Sequence, residues 1–339
     1  MNANAHFTRG IVTVVVALSA CGGNPDAERL ATVKQRGHLI CGIATGVDGF
    51  SSVDPTGRHI GLDVDICRAV SAAIFGDPEK VRYVEASSVD DFLRSKEIDI
   101  VSRRLTWSLA REGVGLLFGP VTFYDGQGFL VSRRLHANEA TQLSGKTICV
   151  DAGTIFESNL SSYFTAQRIV LNKRLLNSPG DIAGSLADGS CDAYTADLSA
   201  LGAIRSRLPN RDEFEILPGE ISKEPLAQVV READVDLFKI LRWTVFAMID
   251  AEELGVTSEN VDRMTSSQNA EVKRLLGVTP GNGRALGLNE RWAYDVIKTV
   301  GNYGEIFDRN LGSKSSIQLD RRLNRLWTAG GLIYAPPLR

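Results

Sequence analysis

Two stretches of this sequence begin alike: an apolar run that reads as a buried strand, then a glycine-containing loop. The first is His38-Leu39-Ile40-Cys41-Gly42-Ile43 entering Thr45-Gly46-Val47-Asp48-Gly49-Phe50-Ser51. The second is Lys146-Thr147-Ile148-Cys149-Val150 entering Asp151-Ala152-Gly153-Thr154, followed by a helical segment from Phe156 to Phe164. Buried strands that alternate with helices demand a sheet covered by crossover helices, which restricts the chain to α/β architectures. After the first start, Gly61-Leu62-Asp63 opens a helix with Ile66, Val70, Ala73 and Ile74 on one face and Gly76 at its C-terminal stop. Val81–Glu85 alternates as a strand, Val89–Leu93 begins a helix, and Ile98–Val101 is a further strand, so a parallel α/β lobe is predicted. A second lobe starts near Lys146, includes the strand Asp192–Ala196 and ends about Pro218-Gly219. With 339 residues the chain exceeds the roughly 250–300 at which a single core stops growing, so two lobes are expected. A helix-rich tail, with Leu237–Leu254 and Trp292–Val300, is expected to complete the first.

Charge narrows the partners. A formal net charge of −3 without a clustered basic surface excludes nucleic acid as the expected partner. Arg9, the apolar run Ile11–Leu18 and the small residues Ser19-Ala20 before Cys21 read as an export signal over residues 1–21. That run is shorter than the about 20 apolar residues of a membrane span. Leu18-Ser19-Ala20-Cys21 also resembles a lipoprotein signal with Cys21 as the acylated residue, cleavage after Gly22 being the alternative. Four further cysteines, Cys41, Cys67, Cys149 and Cys191, suit disulfides in an oxidising compartment. Of three possible connectivities, Cys41–Cys67 with Cys149–Cys191 is preferred because each bridge then stays within one lobe and leaves the lobes free to move. No C-x-x-C or ligand-spaced histidine cluster points to a metal, and no cofactor is expected.

Several stretches carry a resemblance. They are Gly61-Leu62-Asp63-Val64-Asp65 with Cys67-Arg68-Ala69-Val70, Phe123-Tyr124-Asp125-Gly126-Gln127-Gly128-Phe129, Ile221-Ser222-Lys223-Glu224-Pro225-Leu226, Trp243-Thr244-Val245-Phe246-Ala247, Gly301-Asn302-Tyr303-Gly304-Glu305-Ile306-Phe307 and Tyr334-Ala335-Pro336-Pro337. Together they resemble the periplasmic solute-binding proteins of general L-amino-acid ABC importers, bacterial solute-binding protein family 3. The resemblance implies the type II periplasmic binding fold: two α/β lobes joined by two crossover strands, with a cleft that closes on a free amino acid. Lobe 1 is then expected at 28–127 and 223–339, and lobe 2 at 128–222. It further implies a periplasmic, monomeric subunit without catalytic activity that serves a membrane ABC permease.

A free amino acid carries a carboxylate and an ammonium, and a closed cleft must satisfy both. Arg111, five residues after Thr106, offers a planar guanidinium able to grip a carboxylate with two charge-assisted bonds. By resemblance Arg111 is the family's carboxylate-binding arginine, Thr106 adds a hydroxyl and a backbone N–H, and Asp197 is the ammonium-binding aspartate. Thr154 and Ile155 precede a helix whose first N–H groups favour an anion. Phe50 covers the solute or plugs the core, and Asp48 shares its loop. Arg104 departs from the family, where a small or amide residue stands near the ammonium; Leu105 and Ile155 likewise replace hydroxyl residues. At an effective dielectric near 20, two like charges about 4 Å apart cost about 4 kcal/mol. Arg104 is therefore expected to face solvent, to meet an acidic solute side chain, or to mark a solute without the ordinary ammonium.

Enzyme motifs fail on context. Gly145-Lys146-Thr147 lacks the first glycine of a P-loop, since Ala140 stands there, and leads into a strand; no H-E-x-x-H or G-x-S-x-G occurs. Asp63 and Asp65 stand at a helix start, where capping is the ordinary reading. The same fold serves exported dehydratases of cyclic aromatic amino-acid precursors and sensory modules, so these stay as alternatives.

Overall fold

The computed structural model describes residues 28–86, 88–176 and 182–339, so the expected export segment and Cys21 lie outside the described residues. Twelve strands are present among the described residues: β1 Leu39–Ile43, β2 Ser52–Val53, β3 His59–Ile60, β4 Val81–Glu85, β5 Ile100–Thr106, β6 Leu116–Asp125, β7 Gln127–Ser132, β8 Thr147–Asp151, β9 Asn172–Leu176, β10 Ala193–Asp197, β11 Phe214–Ile216 and β12 Glu224–Arg231. They form two five-stranded sheets, ordered β4-β1-β5-β12-β6 and β11-β7-β10-β8-β9, and a small β2-β3 ribbon. This is the two-lobed type II periplasmic binding architecture.

The helix Leu62–Phe75 forms where the sequence places it, with Gly76 at φ 68° closing it through a bond to the Ala72 carbonyl. Its Leu62, Ile66, Ala69 and Val70 are buried against Leu237, Ile240 and Leu241 of the long helix Val235–Glu253, in the core shared by the N-terminal and C-terminal parts of the first lobe. Each of the leucine, isoleucine and valine side chains contributes roughly 1.5–3 kcal/mol on burial, which is what fixes the tail to this lobe.

The expected parallel sheet is only half right. β4, β1 and β5 are parallel, but β12 runs antiparallel to both β5 and β6. The returning strand inserts between them, so the lobe carries a mixed sheet. The strand placed at Ile98–Val101 begins at Ile100 and continues to Thr106, because β12 pairs with its far end through Leu226 and Ala227. Between the Leu105–Ala227 and Val101–Val229 pairs, β5 uses four steps where β12 uses two. Ser102, Arg103 and Arg104 thus stand opposite the single residue Gln228 and bulge from this ladder, and Arg104 takes φ 53°.

The chain passes between the sheets at Gly126, between β6 and β7, and again at Ser222–Lys223, before β12. The two passages are bonded to each other: the Gln127 N–H donates to Ser222 Oγ at 3.0 Å, and the Ile221 N–H donates to the Gln127 carbonyl at 2.8 Å. They lie so close that a Cβ on Gly126 would meet the Ser222 carbonyl oxygen at 2.7 Å. Gly126→Ala is therefore expected to separate the crossovers and cost about 1–3 kcal/mol, read as a lowered midpoint in thermal or denaturant unfolding; an unchanged midpoint would refute the contact. The C-terminal tail binds this region too. Asn324 pairs with the backbone of Tyr124 on β6, and Arg322 donates to the Ile216 carbonyl of β11 at 3.0 Å.

Both preferred disulfides are present. Cys41–Cys67 ties β1 to the helix Leu62–Phe75, with Cα atoms 6.3 Å apart, and Cys149–Cys191 ties β8 to the entrance of β10, at 5.7 Å. Neither links the two sheets.

Candidate functional site in the cleft between the lobes

Open α/β sheets place ligands beyond the carboxyl ends of their parallel strands, where the topology reverses. Here those ends are the β1 loop and the bulge of β5 on one side, and the ends of β8 and β10 on the other.

From the first lobe, the end of β5 delivers Thr106, and the turn Trp107-Ser108 leads into the short helix Leu109–Glu112 that carries Arg111. Ser108 caps that helix by accepting from the Arg111 N–H. The turn folds the guanidinium back over the strand, where Nη1 donates to the Thr106 carbonyl at 2.7 Å. The Thr106 hydroxyl donates to Glu224 Oε2 at 2.8 Å, so the second crossover supplies a carboxylate directly beside the bend.

From the second lobe, Asp197 is the last residue of β10 and stands at the head of the helix Leu198–Arg207, yet its side chain does not cap that helix. Its Oδ1 is buried without a hydrogen-bond partner. Burial, the neighbouring Asp125 charge and Glu224 push the Asp197 carboxyl up to about 7, against the opposing pull of Arg104. Thr154 precedes the helix Ile155–Gln167; its hydroxyl donates to the Asp151 carbonyl at 2.8 Å instead of capping. Ile155 is 62% exposed, so this helix start is open.

Arg104 does not point to solvent. Its positive φ turns the side chain across the gap, where Nη1 donates to Ser199 Oγ at 3.1 Å and the guanidinium lies 5.4 Å from the Phe50 ring centroid. Ser199 passes the contact on, its hydroxyl donating to the buried carboxylate of Asp125. Phe50 is itself a core residue, 2% exposed and edge-on to Phe123 at 5.3 Å, so Arg104 lies between it and the gap. Asp48 is engaged by a second contact between the lobes, accepting from Arg207 Nε at 3.0 Å.

The sequence reading gave Asp63 and Asp65 another role and assigned none to Asp125 and Glu224. Asp63 and Asp65 are no caps: Ser102 of the β5 bulge donates to Asp63 Oδ1 at 2.8 Å, and Arg309 and Asn310 bind Asp65. Burial raises the Asp63 carboxyl to about 6. Asp125 ends β6, and burial raises its carboxyl as well. Glu224 opens β12. Asp125 and Glu224 sit in stretches that carry the family resemblance, and that was the one signal available for them. A hydroxyl serves each of three carboxylates, Ser102 on Asp63, Ser199 on Asp125 and Thr106 on Glu224, while Asp197 has none. The arrangement suits a zwitterion, with an anion at Arg111 and a cation at Asp197.

A further concavity lies away from these strands. A cavity of about 250 Å³ between the helix Val235–Glu253 and the tail is lined by Asp250, Glu253, Trp327 and Tyr334, and no residue of β5, β6 or β10 reaches it. No group of histidine, cysteine or carboxylate side chains among the described residues could hold a metal ion, and no helix among them is long and apolar enough to cross a membrane.

Known proteins share this architecture. The chain is 44% identical, over 99% of both chains, to the general L-amino acid-binding periplasmic protein AapJ of Rhizobium johnstonii. It is 43% identical to the glutamate/glutamine/aspartate/asparagine-binding protein BztA of Rhodobacter capsulatus, covering 96% of this chain and 97% of the other. A solved ABC transporter periplasmic binding protein from Brucella ovis, with glutathione bound, superposes with a TM-score of 0.79 at 44% identity, over 91% of this chain and 99% of that one. Residues 39–274 match the family described as bacterial extracellular solute-binding proteins, family 3. With two sheets, paired crossovers and close relatives over its whole length, this chain belongs to the bacterial extracellular solute-binding proteins of family 3.

Proposed function

We propose that this protein is the extracytoplasmic binding subunit of an ABC importer and that it captures a free α-amino acid or close analogue by closure of the cleft, without catalysing a reaction. The observation that carries the reading is the unpartnered Oδ1 of Asp197, buried within reach of the charges of Arg104 and of Glu224, the carboxylate that accepts from Thr106 beside the Arg111 turn, next to two crossovers that are able to act as a hinge. The names of the relatives support it, among them a putative amino-acid ABC transporter-binding protein of Escherichia coli that is 43% identical over 97% of this chain. In this reading Arg111 and Thr106 bind the carboxylate first, and closure brings Asp197 and the helix start at Thr154–Ile155 across the solute. Closure is a population shift driven by contacts made only in the closed form. Phe50 backs the site through Arg104, and Asp48 with Arg207 latches its rim. The protein acts as a monomer, presented to a membrane permease from the periplasm, with Cys21 as its lipid anchor.

Calorimetry of the mature protein against the L-amino acids, with their deaminated analogues alongside, tests this reading. Saturable one-to-one binding of α-amino acids is expected, and binding of none would overturn it. A carboxyl near 7 also suits proton transfer, which favours a second reading as an enzyme. Recovery of the solute unchanged after prolonged incubation excludes that reading, and a product establishes it.

A further inference from the structure

The cleft holds more positive charge than an α-carboxylate requires. Arg103, Arg104 and Arg111 all stand within ten residues of each other at the end of β5, and none makes an ion pair among the described residues. Burial lowers the pKa of Arg103, and the charges of Arg111 and Arg104 add to it. Arg104 is the one that crosses the gap. Of its five N–H groups one is used, by Ser199, and the remainder of the guanidinium edge meets no protein acceptor. The neighbouring carboxylates Asp63, Asp125 and Asp197 feel its charge, but none comes within ion-pair distance of it: Asp63, Asp125 and Glu224 are each served by a hydroxyl instead.

The position is also built. The β5 bulge and a φ of 53° are needed to aim this side chain at the second lobe, a backbone state that a residue with a long side chain seldom adopts. Phe50 supports the guanidinium from behind at 5.4 Å, and Ser199 fixes its tip. A part-buried guanidinium held on one edge and open on the other is a receptor for a planar oxyanion.

We propose that Arg104 receives a second carboxylate of the solute, so that the cleft selects dicarboxylic amino acids over their neutral amides. This rests on the reading that the cleft holds an α-amino acid. The solute's α-carboxylate lies at Arg111, its ammonium at Asp197 and its distal carboxylate at Arg104. The third group adds its negative charge to those of Asp125 and Asp197 against the repulsion between Arg104 and the ammonium. A neutral amide in the same place leaves the open edge of Arg104 without an anionic partner.

Calorimetry with two pairs, L-glutamate against L-glutamine and L-aspartate against L-asparagine, reads the selection directly. For the native protein the acid is expected to bind about 10- to 100-fold more tightly than the amide in at least one pair, the range of a charge-assisted hydrogen bond. Arg104→Asn suits the test, because asparagine tolerates the left-handed backbone and keeps the bulge. It is expected to bring the ratio to about one, chiefly by weakening the acid, whereas Arg104→Lys retains a preference for the acid. Ser199→Ala separates the alternative in which Arg104 merely braces the lobes. If Arg104→Asn and Ser199→Ala weaken acid and amide equally and leave the ratio unchanged, Arg104 is a brace and the proposal fails. Equal affinity of the native protein for acid and amide in both pairs also overturns it while leaving the amino-acid reading intact. Absence of binding to any amino acid removes both.

Discussion

Asp197→Asn is expected to weaken amino-acid binding by at least about 100-fold and, at the same time, to raise the thermal stability of the ligand-free protein. Both effects have one cause. The Asp197 carboxyl is buried beside Asp125 and Glu224, has no hydrogen-bond partner at Oδ1, and is opposed only by the charge of Arg104. An ammonium from the solute supplies the missing partner, and a buried charge-assisted contact of this kind is worth about 2–4 kcal/mol, hence the loss of affinity. Without solute, the ionised carboxylate is a cost that folding must bear. A carboxyl raised from 3.8 to about 7 is destabilising once it ionises in the folded state. The sign is opposite to that of a salt-bridged aspartate. The penalty is absent below about pH 4, where both folded and unfolded forms are protonated, grows as pH rises, and is complete above about pH 7. Asp197→Asn should therefore raise the melting temperature by a few degrees at pH 8, with the gain shrinking towards pH 4. Binding follows the same titration. Affinity for an α-amino acid should rise between pH 5 and pH 8 in the native protein, and below about pH 7 each binding event should release a proton, detectable as a buffer-dependent heat. Burial raises Asp63 and Asp125 in the same direction. A variant that binds normally, or whose stability gain is the same at pH 4 and pH 8, contradicts this account.

Arg111→Ala should have a comparable effect on binding and a smaller one on folding. The guanidinium leans on the Thr106 carbonyl at 2.7 Å, one hydrogen bond at a partly exposed position, so its loss costs about 1 kcal/mol of stability. Its remaining donors are free for a carboxylate, and two charge-assisted bonds lost together amount to about 3–5 kcal/mol, or at least a 100-fold rise in Kd. Calorimetry should find no measurable heat for the variant, whose circular dichroism and melting stay close to native. Arg111→Lys should recover part of the affinity, because a point charge remains while the planar fork is gone. Unchanged affinity in Arg111→Ala would remove this residue from the site.

The two substitutions probe different lobes, and their comparison is informative about order. If the first lobe captures the solute and closure follows, loss of Arg111 should abolish encounter as well as affinity. Loss of Asp197 should mainly speed release, since that contact forms only on closure. Stopped-flow mixing with a reporter of closure distinguishes the two.

Much of this molecule is written locally. The strand that enters a glycine loop at Leu39, its counterpart at Thr147, and the helix that starts at Leu62 and stops at Gly76 all carry their own periodicity and stop signals, and they form where those signals lie. The disulfide pairs follow from the same organisation, since each joins segments of one lobe. Arg111 was visible as a turn arginine close behind a strand, and resemblance supplied its role.

What the tertiary structure alone decided is the company these residues keep. Thr106 meets Glu224 across 118 positions of chain, Ser199 meets Asp125 across 74, and Arg104 meets Ser199 across 95. No local spacing encodes such pairs, because they exist only once β12 has inserted between β5 and β6 and the second sheet has docked. The bulge in β5 is likewise a product of that insertion: an antiparallel neighbour with fewer residues forces Ser102 to Arg104 out of register. From the sequence, Asp63 looked like a cap and Arg104 had three possible destinations. Pairing between distant strands turned one into the partner of Ser102 and sent the other across the cleft, because side-chain direction depends on register, and register is set by the neighbouring strand.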